Sequence, residues 1–86
     1  MPFSIVYDVN VTTIDIPALP VRNREQVKRA IVERLTVDPI GLGKPLQGKY
    51  KGYRRLRVGD WRILYRIEDS TVFIDAIGNR RDIYER

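Results

Sequence analysis

The 86-residue chain contains no cysteine and no histidine. The first absence removes disulfides, thiolate metal sites and cysteine nucleophiles. The second leaves proton transfer to Lys, Arg, Tyr, Asp or Glu, and with the first it excludes zinc sites of the usual His or Cys kind. No apolar run approaches the roughly 20 residues needed to span a bilayer. The N-terminus also lacks a charged segment followed by an apolar one. These absences lead us to expect a cytoplasmic protein with no membrane partner. With 43% hydrophobic residues, one domain spanning residues 1–86 with a single modest core is expected, and a binding partner would help to stabilise it.

The charge is uneven. Lys44 to Arg66 carries eight cations against Asp60 alone, while the rest of the chain sums to −2. Excess positive charge confined to one segment points to a polyanion such as nucleic acid, or to another anionic partner.

Within that segment, Val58-Gly59-Asp60-Trp61 reads as a two-residue hairpin turn with Gly where positive φ is needed. The turn sets Val58 opposite Trp61, Arg57 opposite Arg62, Leu56 opposite Ile63, Arg55 opposite Leu64 and Arg54 opposite Tyr65. Val58, Trp61, Leu56 and Ile63 then face a core, and Arg55, Arg57, Arg62 and Arg66 gather on the reverse side with Tyr53. Like charges facing each other destabilise a sheet, so an anionic ligand is expected over Arg57 and Arg62.

Phe3, Ile5 and Tyr7 alternate at the start of a strand, whereas Thr12 to Pro17 reads as a short irregular turn, since Pro17 would interrupt a helix. Val27, Ala30, Ile31, Val32 and Leu35 have helical spacing, which predicts a helix beginning between residues 20 and 24 and ending before Asp38-Pro39. Its basic residues read as a solvated face. Ile40 to Gly52, with Gly41, Gly43, Gly48 and Gly52, reads as a connecting loop with Leu42 and Leu46 against the core. Its glycine spacing matches no phosphate-binding fingerprint. Lys49 and Lys51 at its end are placed to reach a bound backbone.

Asp69-Ser70 predicts a second turn, after which Val72, Ile74 and Ala76 line up with Ile67, Tyr65 and Ile63 on the core face. The same register puts Phe73 and Ile77 beside Leu64 on the basic face, so part of that face should be covered. The tail from Gly78 can fold back over it, with Arg80 and Tyr84 on one side of a final helical turn.

The chain resembles the RelE/ParE toxins of bacterial and archaeal toxin–antitoxin systems. The resemblance lies in Leu35 to Pro39, Pro45-Leu46-x-Gly48, the run Arg55-Leu56-Arg57-Val58-Gly59-Asp60-Trp61-Arg62-Ile63-Leu64-Tyr65, and Ile77-Gly78-Asn79-Arg80-Arg81-Asp82-Ile83-Tyr84. It implies an α+β fold, a small antiparallel sheet with helices on one face and an active surface on the other. It further implies a metal-independent endoribonuclease without cofactor that cuts messenger RNA in the ribosomal A site and is held inactive by a cognate antitoxin.

By the same resemblance Arg62 and Arg80 match basic positions of the active surface, Tyr84 matches a C-terminal tyrosine, and Arg55 stands where some members have a lysine proposed as general base. Lys49, Lys51, Arg54, Arg57, Arg66 and Arg81 are the expected RNA-binding cations, and an acidic antitoxin segment is expected over Leu64, Phe73 or the tail. Arg55 and Asn79, the latter where many relatives have histidine, depart from the pattern. Two alternatives stay open: a ParE-like gyrase poison without nuclease activity, and a non-catalytic RNA-binding module, though the chain lacks the aromatic strips such modules use.

Overall fold

A computed structural model describes residues 2–79 and Ile83. Strand β1 (Ser4–Tyr7) leads into helix α1, wound in the wide π manner over Val11–Asp15 and continuing through Ile16–Ala18. Helix α2 covers Val21–Ala30 and is extended by Ile31–Leu35, and α3 (Pro39–Leu42) and β2 (Lys44–Pro45) follow. After a 3-10 turn at Gly48–Tyr50 come β3 (Arg54–Val58), β4 (Trp61–Glu68) and β5 (Thr71–Asn79).

Gly59 takes φ 59° and Asp69 φ 53° at the two hairpin turns. The first turn produces the expected β3–β4 register, including Arg57 opposite Arg62. The second starts β5 as expected, with Val72 opposite Ile67 and Ile74 opposite Tyr65, but the register then shifts so that Ala76 faces Leu64 and Ile77 faces Ile63. Asp75 is the extra residue of a β-bulge, which reverses the faces of everything after it. Ala76 therefore leaves the core side and Ile77 enters it, opposite to the expectation. The sheet also extends beyond the hairpins to five strands in the order β1-β5-β4-β3-β2, with β1 parallel to β5.

The fold is α+β, a small mixed sheet with helices on one face. Val11, Val27, Ala30, Ile31 and Leu35 from the helices and Leu19 from the link between α1 and α2 pack on Leu56, Val58, Ile63, Tyr65, Val72, Ile74 and Ile77 from the strands, with Phe3, Ile5 and Tyr7 at the margin. Val32, at 52% exposure, lies outside this core despite its apolar character.

Thr12 to Pro17 is helical, which corrects the expected irregular turn. Ile16 N–H donates to Val11 O, five residues back, and Asp15 Oδ2 accepts from Ile77 N–H at 3.0 Å. Beyond Ile74 no strand among the described residues covers the outer edge of β5, because β1 ends at Tyr7. The buried Asp15 carboxylate takes over one edge amide, and this tertiary bond overrides weak local helix propensity. The segment from Ile40 is also more ordered than a loop. Asp38 caps α3 by accepting from Gly41 N–H at 2.9 Å, with Pro39 in the first turn, so the pair that ends α2 starts the next helix.

Candidate nucleic-acid interface

The face of the sheet opposite α1 and α2 is built by alternation. Tyr53, Arg55 and Arg57 come from the β3 side and Arg62, Leu64 and Arg66 from β4; β5 adds Phe73, Ala76 and Gly78. Its centre is apolar and closed by the chain itself. Leu64, Ala76 and Ile83 are buried together, with Leu46, Tyr50 and Tyr53 packed against them. Leu64 is only 7% exposed in the isolated chain, so an antitoxin segment expected over it would have to displace the residues that cover it.

At the turn end of this face lie Arg55, Arg57 and Arg62. Arg57 is exposed and Arg55 half-buried. Arg62 is 9% exposed, and its Nη1 reaches the carbonyls of Gly59 and Trp61, both at 3.4 Å. Gly78, opposite it on β5, adds no side chain to the face. A guanidinium packed over the turn in this way is preorganised, with little rotamer freedom left to lose when an anion arrives.

The other expected cations are dispersed. Arg66, at the far end, pairs with Glu68 at 2.8 Å, lies 3.4 Å from Asp75 Oδ2 and stacks on the Phe73 ring at 4.3 Å. Its hydrogen bond to Glu68 holds its proton more firmly than usual, while burial raises the Asp75 carboxyl against the opposing pull of Arg66. This end is locally neutralised. Arg54 lies on the helix side with Leu56 and Val58, where Nη1 donates to Ile40 O at 2.9 Å and Gly43 O at 3.1 Å. Its visible role is to tie α3 and β2 to the sheet, apart from the basic face. Lys49 and Lys51 are exposed on the covering loop, with Lys49 Nζ 5.3 Å from the Tyr50 ring centre. Arg80, Arg81 and Tyr84 lie outside the described residues.

Chemically, the turn end offers planar guanidinium donors suited to a phosphate, beside a sheet that fixes their spacing. Among the described residues no group of three or more His, Cys, Asp or Glu side chains is placed to hold a metal ion, and no helix is long and apolar enough to cross a membrane. Sequence reasoning passed over Asp15 and left Arg34 and Lys44 out of the candidate set. Lys44 was visible as part of the basic run, whereas Asp15 carried no local signal because its partner, Ile77, is remote in sequence.

Comparison with known proteins agrees with this architecture. The ParE toxin of type II toxin–antitoxin system, parDE, is the family whose sequence model matches residues 15–84. Toxin RelG of Mycobacterium tuberculosis is 34% identical over 88 residues, covering 100% of both chains. A chain of the toxin–antitoxin complex RelBE2 from the same organism superposes with a TM-score of 0.86 at 30% identity, covering 93% of each chain. A mutant of E. coli RelE in the free state shares the fold at 24% identity, with a TM-score of 0.75 over 99% of this chain and 93% of its own. The chain belongs to the RelE/ParE toxin superfamily of type II toxin–antitoxin systems.

Proposed function

We propose that this toxin is a ribosome-dependent endoribonuclease that cleaves messenger RNA in the A site and so inhibits translation. The observation that carries the reading is the Arg57–Arg62 pair, two like charges set directly opposite each other on the sheet face, with Arg55 on the same face. Guanidiniums set this close on one face concentrate positive potential there, which favours an anionic ligand.

In the proposed reaction the ribose 2′-oxygen bonds to the adjacent phosphorus and the bond to the 5′-oxygen breaks. The 2′-hydroxyl proton leaves to a base, the 5′-oxygen gains one, and a 2′,3′-cyclic phosphate and a 5′-hydroxyl result. Arg62 and Arg80 supply guanidinium donors to the dianionic phosphorane, and Arg57 and Arg55 help hold the strand. Arginine is a poor general base, so the proton goes to Tyr84 or a ribosomal group, or catalysis relies on positioning alone. The mechanism uses no metal and no cofactor.

A cognate antitoxin is part of the same proposal, because similar toxins are found as RelBE2 and RelB–RelE complexes. An acidic segment meeting the turn-end arginines would suppress RNA access by charge complementarity.

The ParE family match favours one competing reading, a gyrase poison without nuclease activity. Primer extension on translated messages after induction separates the two. Breaks within codons of ribosome-bound messages support the nuclease, whereas intact messages with accumulating gyrase-linked DNA breaks support the poison.

A further inference from the structure

The basic surface continues over the β3 edge. Arg34 from α2, Lys44 from β2, and Arg55 and Arg57 from β3 line a cavity of about 280 Å³ whose apolar wall is Leu42 and Leu56. Arg34, Lys44 and Arg57 are exposed, and among the described residues none of them has a carboxylate within ion-pair distance. Arg34 also borders the neighbouring helix surface, where Arg22 and Arg29 share the space with Glu25 and Glu33. Arg34, Lys44 and Arg57, from three separate elements, thus converge on one groove, and Arg57 belongs both to that groove and to the pair with Arg62.

We propose that this groove holds the phosphate backbone of a single RNA strand, carrying it off the arginine face and over the sheet edge toward α2. The ligand class rests on the nuclease reading above, which puts RNA on the adjoining face. Guanidinium forks at this density match successive phosphates, each nucleotide supplying one charge. Strand addition by an acidic peptide fits less well. The adjoining edge strand is the two residues Lys44 and Pro45, and both a charged side chain and a missing N–H discourage pairing there.

The test is the affinity of the full-length protein for a short single-stranded RNA across a salt series. Each lost phosphate contact lowers the slope of log affinity against log salt by about 0.7. Arg34→Gln with Lys44→Gln should lower it by about 1.4, the sum of two such contacts. The charge-matched control, Arg22→Gln with Arg29→Gln, should leave it unchanged. Absence of RNA binding by the parent protein, an unchanged slope in the groove variant, or equal losses in both variants would overturn the proposal. So would loss of affinity for a glutamate-rich peptide with RNA binding intact, which would assign the groove to protein. Groove-dependent RNA binding by a protein that leaves ribosome-bound messages uncut would refute the nuclease reading alone.

Discussion

The phenol of Tyr65 occupies the space that a Cβ on Gly43 would require, and its hydroxyl donates to the Pro39 carbonyl at 2.6 Å. One side chain of β4 therefore fixes the path from α3 into β2 and so the position of Lys44. The ring is fully buried and cannot swing aside. Gly43→Ala should destabilise the protein by about 1–3 kcal/mol, as overpacking does, lowering the denaturation midpoint without changing the m-value.

Burial pushes the Tyr65 phenol up to about 12, with nearby Arg54 lowering it and Asp38 raising it. The folded state therefore holds this proton more tightly than the unfolded chain, whose tyrosine titrates near 10. The contribution is fully present below pH 10 and is lost as pH rises toward about 12, at most ~3 kcal/mol for a shift of that size. Denaturation across this range should show a shallower loss in Tyr65→Phe than in the parent. Some slope remains, because burial also raises Tyr7. Identical profiles would contradict the assignment.

Arg54 is expected to matter for stability and little for RNA. Its two bonds to backbone carbonyls join α3 and β2 to the sheet. Arg54→Ala should cost about 1.5–3 kcal/mol, the range for hydrogen bonds to charged groups. RNA affinity measured where the variant is still folded should match the parent. A selective loss of affinity would return Arg54 to the binding surface.

How much of this was legible follows the range of the forces involved. Gly59-Asp60 announces its own turn, so the opposition of Arg57 and Arg62 could be read from neighbouring residues alone. Alternation also places Arg54 with Leu56 and Val58, on the face away from Arg55 and Arg57. The bulge at Asp75 has no comparable signature, since one inserted residue preserves an alternating apolar pattern while exchanging its faces. Helix α1 and the parallel pairing of β1 depend on contacts with β5, more than 60 residues away in the case of Asp15 and Ile77. The convergence of Arg34 with Lys44, Arg55 and Arg57 likewise arises only when α2 is docked on the sheet.

Asp15 provides a local test of that long-range closure. Asp15→Ala removes the acceptor of the Ile77 amide, leaving a buried donor at a cost of about 1–3 kcal/mol. The Ile77 amide should exchange with solvent faster in the variant, while amides between β3 and β4 change only as global stability does. Unchanged protection at Ile77 would show that another group suffices to close the β5 edge.

The most direct measurement of the central claim is single-turnover cleavage on programmed ribosomes, comparing the parent with Arg62→Ala after circular dichroism confirms that the variant is folded. The toxin is treated with EDTA, and Mg²⁺ is supplied only for the ribosome. Losing one donor to the phosphorane should slow cleavage by about two to three orders of magnitude, the range seen when an oxyanion donor is removed. Ribosome binding should persist. Cleavage by Arg62→Ala at the parent's rate would contradict this site, and an intact message with the folded parent protein would contradict the nuclease itself.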